Sequence, residues 1–344
     1  MGRQLTRRTA LGLSTGAAVA AVFGSGTAAL AQSVTAGKRN ELAPDTPAGV
    51  RSAVKAVYDA ATATAGGMWE SYISVANADG TTAPTVDQSS AEVVQAYSVN
   101  KLGVATAILD KVDKGSLELT QTVEVTRDII IPDGDGIFRL DHAYPSTVTL
   151  GHVLAALLTV SDDTAVRLCG LVTTSSEINR ILTAKGFRHT QVQPTANPHR
   201  FYLGTTTPHE MHSLLQTLVT GTLLSASSTT YMLGLLRSPI AFTDGIRRIM
   251  SSGERARIAT KAGWFADGRN EAGVIFSPAG KAVLTYSIFA HGQADAGNFG
   301  ATHPAVQARA VIGRAFLDAV DSLEGSAAIG KVFDPLPYRP VNGG

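Results

Sequence analysis

Between Ser98 and Gly115 the apolar residues Val99, Leu102, Ala105, Ile108, Leu109 and Val112 recur at helical spacing, and Gly115 supplies the stop. Ser98 therefore opens a helix, and Lys101, three residues on, shares its face. The segments around this helix fall into two kinds. Upstream, residues 52–65 suit a helix, and 69–76 and 92–97 suit strands, separated by the polar, Gly- and Thr-rich stretch 77–90. Downstream, a helix begins after Thr149, buries Leu150, Val153, Leu154, Leu157 and Leu158, and ends at Ser161-Asp162-Asp163. Thr207-Pro208-His209-Glu210 reads as a capping box, with Thr207 as N-cap, Pro208 at the first helical position and Glu210 at the third, for a helix to about Val219. Residues 258–261, 272–276 and 283–289 are short strand-like runs between Gly- and Pro-containing turns, before a last helix over 305–320. Strands, many helices, then strands and a helix imply an α/β chain: terminal strands form one sheet and the middle forms a helical lobe.

With 344 residues, 44% of them hydrophobic, the chain can bury a substantial core. Its formal charge of +1, with no basic stripe, gives no support to nucleic-acid binding. Arg3, Arg7 and Arg8 precede a weakly apolar run over 10–23 that ends in Ala29-Leu30-Ala31, the pattern of a cleaved export signal over residues 1–31. Thr6-Arg7-Arg8-Thr9-Ala10-Leu11 resembles a twin-arginine signal, which implies a secreted or extracytoplasmic protein. The run is too short and too interrupted for a stable membrane anchor. Residues 32–48 read as a flexible leader, 49–325 as one domain and 326–344 as a C-terminal tail, and the chain is expected to be a monomer. Cys169 lies among Val166, Leu168, Leu171 and Val172 and reads as a buried structural thiol. No cofactor or metal is implied, since no His-x-x-x-His pair with a partner acid occurs; His209 and His212 read as exposed polar residues.

A serine hydroxyl becomes a nucleophile when a neighbouring base takes its proton, and a lysine serves when burial lowers its pKa. Ser98-x-x-Lys101 alone is weak, for Ser52-Ala53-Val54-Lys55 has the same form. Only Ser98 is followed by Ser161-Asp162-Asp163 in a turn and by Lys261-Ala262-Gly263 at the end of a strand-like run. In order and separation these three resemble the Ser-x-x-Lys, Ser-Asp-Asn and Lys-Thr-Gly motifs of serine β-lactamases and penicillin-binding proteins, class A above all. The resemblance spans roughly residues 50–320. It implies a β-lactamase/transpeptidase-like fold, with an antiparallel sheet beside the helical lobe. It also implies that Ser98 attacks a carbonyl of a β-lactam, ester or peptide-like small molecule, that Lys101 takes its proton, that Ser161 relays a proton to the leaving nitrogen and that Lys261 adds positive charge. The backbone N–H groups of Ser98 and Trp264 would form the oxyanion hole.

Four departures bear on the substrate. Gln191-Val192-Gln193-Pro194-Thr195-Ala196-Asn197 aligns with the family's Arg-Trp-Glu-Pro-Glu-Leu-Asn loop, which puts Gln193 in place of the deacylating glutamate and Asn197 in place of its neighbouring asparagine. An amide is no general base at neutral pH. Glu210, the nearest later carboxylate, is assigned to helix capping. Asp163 replaces a donor asparagine and either faces a donor group on the substrate or caps the next helix. Ala262 removes a hydroxyl beside Gly263, and Asn270 falls near the place of a carboxylate-binding arginine. Arg247, Arg248 and Arg269 either compensate or are exposed and solvated. The expected protein is a serine hydrolase that forms an acyl-enzyme at Ser98 and hydrolyses β-lactams poorly. A conventional class A β-lactamase with a displaced base and a non-turnover penicillin-binding or ligand-sensing protein are the alternatives.

Overall fold

The computed structural model describes residues 46–77 and 79–323, so the expected export signal, most of the leader and all of the C-terminal tail lie outside the described residues. The folded part starts earlier than expected, because helix α1 (Pro47–Ala65) is capped by the Thr46 hydroxyl, which accepts from the Gly49 N–H, and has Pro47 in its first turn. Strand β1 (Met68–Ala76) follows, then β2 (Thr82–Gln88). Strand β2 lies inside the polar stretch that sequence reading left unstructured; it is a largely solvent-facing edge made by pairing with β1, which composition does not reveal. Conversely, the strand expected over 92–97 shrinks to the two-residue β3 (Val94–Gln95), followed by a 3-10 turn, Tyr97–Asn100, that leads into α2 (Lys101–Asp113). Gly115, at φ +70°, ends that helix as expected.

The helical lobe comprises a small β4 (Thr122–Val125) and β5 (Ser146–Thr149) ribbon, a short turn α3 (Phe138–Asp141), and α4 (Leu150–Thr159), α5 (Asp163–Val172) and α6 (Ser175–Ala184). Then come the β6 (Gln191–Pro194) and β7 (Phe201–Thr206) pair, α7 (Pro208–Thr220), α8 (Ala226–Arg237) and the single turn α9 (Ser252–Arg255). The three strand-like runs become β8 (Ile258–Phe265), β9 (Gly268–Phe276) and β10 (Ala282–His291), and α10 (Pro304–Ser322) closes the described chain.

Five strands form one antiparallel sheet in the order β2-β1-β10-β9-β8, so strands from both ends of the domain are neighbours, as expected. Helices cover both faces. Ser71 and Ser74 sit three apart on β1 and so face opposite ways: Ser71 accepts from the Tyr58 hydroxyl of α1, while Ser74 pairs with His212 Nε2 of α7 at 2.8 Å. His212 is thus buried, not exposed, and burial pulls its imidazole down to about 3. Burial on both faces explains why β8, β9 and β10 are almost wholly buried. Cys169 is buried within α5 and its thiol is pushed up to about 12, in keeping with a structural role.

The domain's arginines answer a question the sequence leaves open. Arg247 is buried and donates to the carbonyls of Ala241 and Ser238. Arg269 is buried and donates to those of Ala266, Gly268, Ala296 and Asn298. Both fasten loops rather than meeting solvent, and Arg248 pairs with Asp244 on its own turn.

Candidate active site

The site forms where the edge strand β8 packs against the Tyr97–Asn100 turn. An edge strand keeps alternate N–H and C=O groups free on its outer side, so this junction can offer backbone donors to a ligand. Gly263 permits the approach: a Cβ built there would lie 2.7 Å from the amide nitrogens of both Ser98 and Val99. Any side chain would wedge the strand away from Ser98. Trp264 follows, its ring lying against Phe242 with centroids 5.0 Å apart. The Ser98 side chain is only 9% exposed, and among the described residues nothing donates to or accepts from its hydroxyl.

Behind Ser98 the two lysines converge on one hydroxyl. Lys101, fully buried, donates from Nζ to Ser161 O at 2.6 Å, to Ser161 Oγ at 3.1 Å and to Asp163 Oδ1 at 2.8 Å. Lys261 Nζ donates to the same Ser161 Oγ at 2.9 Å and to Ala262 O at 2.6 Å. Ser161 itself sits at φ +55°, a left-handed conformation costly for a non-glycine residue and held here by this network. Burial pulls both ammonium groups below the ordinary lysine range. For Lys101 it outweighs the opposing Asp163 charge, and for Lys261 the neighbouring Lys101 adds to the effect. A lysine so placed reaches the neutral, proton-accepting form closer to neutral pH.

The cap considered for Asp163 is supplied by its neighbour Asp162. Asp162, buried, is the cap: its Oδ1 accepts from Ala165 N, and its Oδ2 from Ile137 N and Phe138 N. Asp163 is the first residue of α5; one oxygen pairs with Lys101 and the other accepts from Asp135 N at 3.0 Å. An asparagine could not accept through both side-chain ends, which gives the aspartate a physical reason. Each Asp163 oxygen accepts one of these bonds, and the side chain is still one-third exposed. Asp135 in turn is raised above the usual carboxylate range, by burial first and by Asp163 second. The Asp133-Gly134-Asp135-Gly136 run, which the sequence reading passed over, is the loop so clasped; a Cβ at Gly136 would collide with Asp162.

Gln193 and Asn197 are not brought in. Asn179 brackets Val192 through Val192 N and O, and Asn100 Nδ2 donates to the carbonyls of Gln191, Leu203 and Thr205. Val192 is therefore buried, and strand alternation leaves Gln193 exposed opposite Tyr202. Asn197 is exposed and spends its side-chain carbonyl on His199 N. The Glu210 carboxylate does not close a capping box: Thr207 caps α7 as expected, but Glu210 accepts from the backbone N–H groups of Arg188, His189 and Thr190. Asn270 donates to Gln95 O and accepts from Ala290 N, a tether between strands. Asn100 was the residue with least warning, since a mid-turn asparagine carries no long-range sign in sequence.

The chain matches the family described as Beta-lactamase enzyme family over residues 50–320. No match was found among curated proteins. Among solved structures it is similar to a β-lactamase from Sphaerobacter thermophilus, at 25% identity and TM-score 0.63 over 78% of this chain and 96% of that one. It is likewise similar to a β-lactamase from Xanthomonas campestris pv. campestris, at 21% identity and TM-score 0.66 over 79% and 98%. A mutant of PBP-A, solved as its acyl-enzyme complex with penicillin G, is similar at 18% identity and TM-score 0.60 over 79% and 97%. At such identities the likeness to the last two establishes a shared fold.

Proposed function

Since the chain belongs to the β-lactamase enzyme family, a family of serine hydrolases acting on small molecules, we propose that Ser98 is its nucleophile and that it forms an acyl-enzyme which hydrolyses slowly. The observation that carries this reading is the Ser161 hydroxyl held between Nζ of Lys101 and Nζ of Lys261. Lys101, in its neutral form, takes the Ser98 proton as Oγ attacks the carbonyl of a β-lactam, ester or amide. The negative charge that develops on the carbonyl oxygen is received by the backbone N–H groups of Ser98 and Trp264, where the edge of β8 meets the serine turn. The proton passes from Lys101 to Ser161 Oγ while Ser161 gives its own to the leaving nitrogen or oxygen. Lys261 donates to Ser161 and stabilises the anionic character of that relay.

Deacylation needs a base for water. Asp162 and Asp163 already accept from backbone N–H groups and from Lys101, and Gln193 is exposed on β6. That leaves Asp135, raised above the usual carboxylate range by burial and by Asp163, as the carboxyl beside the cluster whose side chain has no hydrogen-bond partner among the described residues. Trapping of a β-lactam as a long-lived adduct is the second reading, favoured over rapid β-lactam turnover by the exposed Gln193 at the position aligned with the deacylating glutamate. Intact-protein mass spectrometry after incubation with penicillin G and with an activated ester tests the assignment. A single adduct with each reagent is expected, absent in Ser98→Ala; no Ser98-dependent adduct or turnover with either reagent sinks it.

We further propose export through residues 1–31 and a monomeric mature chain from about residue 32. No helix among the described residues is long and apolar enough to cross a membrane. Replacement of Arg7 and Arg8 by lysine should abolish export of a fused reporter if the twin-arginine reading is right.

A further inference from the structure

Beside the lysine cluster lies a cavity of about 430 Å³ between the Ile131 loop, α5 and β7. Asp163 forms a wall shared with the cluster, since one of its oxygens is on Lys101. Val166, Phe201 and Leu203 give the cavity apolar sides, and Arg167 and Arg200 bring two guanidinium groups to it. Arg167 spends Nη1 on the carbonyls of Ile129 and Ile130, and Arg200 spends Nη1 on His199 O at 3.3 Å. Among the described residues neither guanidinium pairs with a carboxylate. Each is only partly exposed, and the two are close enough that Arg200's charge, together with burial, lowers Arg167 below the ordinary arginine range. The nearby Asp128 is held low first by a hydrogen bond from Thr126 and also by Arg200, without an ion pair between them, and the Asp163 charge is offset by Lys101.

Two guanidinium groups at one partly apolar cavity offer a carboxylate charge-assisted, bidentate hydrogen bonds. The places beside Lys261 where a substrate carboxylate would otherwise be read are spent: Ala262 has no hydroxyl, Asn270 tethers strands, and Arg269 fastens loops. We propose that this cavity is a subsite for a carboxylate-bearing arm of the substrate, its methylene stem against Val166, Phe201 and Leu203 and its carboxylate between Arg167 and Arg200. The inference rests on the acyl-transfer reading for its place in a reaction, but not for the binding itself. The arm would lie beside Asp163 while the reacting carbonyl reaches Ser98. The class of substrate is then an ester, amide or β-lactam whose acyl side chain ends in a carboxylate a few carbons away.

The test separates the two readings. Ser98→Ala, which has no nucleophile, is titrated calorimetrically with glutarate and with neutral glutaramide, alone and combined with Arg200→Gln. Glutarate is expected to bind at least about tenfold more tightly than glutaramide, with added salt weakening it, and Arg200→Gln should erase the difference. Arg167→Lys, which keeps the charge, should retain most of it. Equal binding of both probes, no binding of either, or a preference indifferent to Arg200→Gln in a protein of unchanged thermal midpoint overturns the subsite. In the wild-type protein, a cephalosporin with a glutaryl side chain should then acylate about tenfold faster than its glutaramyl counterpart. Glutarate binding without acylation by either cephalosporin would leave the subsite standing and refute the Ser98 chemistry.

Discussion

The lysine cluster and the β6–β7 pair flank the same serine turn and have fared differently. At the cluster, Lys101, Ser161 and Lys261 are buried and each makes hydrogen bonds that fix its geometry. At β6–β7, where the family's deacylating glutamate would be expected, Val192 fills the inward position and Gln193 faces solvent. Preorganised polar groups persist where they are built into packed elements, and the difference between these regions says that the two halves of a hydrolytic cycle can be uncoupled. On the proposed reading, the groups assigned to attack on a carbonyl are built into packed elements, whereas the position aligned with the deacylating glutamate carries an exposed Gln193.

Breaking the cluster should have the largest effect. Lys101→Ala removes the proposed base and should lower the acylation rate by about 10³-fold, measured as k2/K with a chromogenic cephalosporin, with the fold preserved by circular dichroism. Next comes the contact between sheet and serine turn. Gly263→Val places a side chain against the Ser98 and Val99 amides, so acylation should fall by about 10²-fold or more, and because the clash is with backbone the thermal midpoint should fall as well. Near-wild-type acylation in that variant would remove the oxyanion assignment.

Asp163→Asn sharpens the comparison with a smaller effect. Burial already lowers the Lys101 ammonium, and Asp163 opposes that by favouring the charged form. Without the carboxylate, neutral Lys101 should be populated at lower pH, so the acidic limb of the acylation profile should move down, not up. The Asp135 N–H that donates to Asp163 is exposed, so the same change should alter stability, read from denaturant midpoints, by no more than about 1 kcal/mol. A limb that shifts upward would mean that Asp163 activates Lys101 rather than holding its charge. The smallest effect belongs to the other region: Gln193→Glu, on an exposed strand position, should change the deacylation rate by less than about twofold. Restored turnover there would show that the loop register, and not the residue, had been misjudged.

Those expectations also mark what the sequence could tell. The order of Ser98-x-x-Lys101, Ser161-Asp162-Asp163 and Lys261-Ala262-Gly263 pointed to the lysines and Ser161 that the fold brings together. The first two motifs lie at the starts of α2 and α5, and the third lies inside β8, which runs past the expected stop at Lys261 to Phe265. Strand β2 was hidden, since Thr82, Pro84 and Thr85 owe their extended form to pairing with β1 rather than to their own preference. Charge was the poorest guide. Arg247 and Arg269 look solvated in a sequence and turn out to hold carbonyls in the interior, and Glu210 looks like a local cap and instead gathers backbone N–H groups some twenty residues upstream. Helix and strand signals are local, whereas the partners of a buried polar group lie wherever the fold brings a complementary atom.

The claim that attack outpaces hydrolysis can be read directly from the first turnover. Rapid mixing of the protein with excess chromogenic cephalosporin should give a burst of about one equivalent of opened β-lactam per chain, dependent on Ser98, followed by a much slower steady rate. A linear trace with fast turnover and no burst would contradict it, because hydrolysis of the acyl-enzyme would then keep pace with its formation.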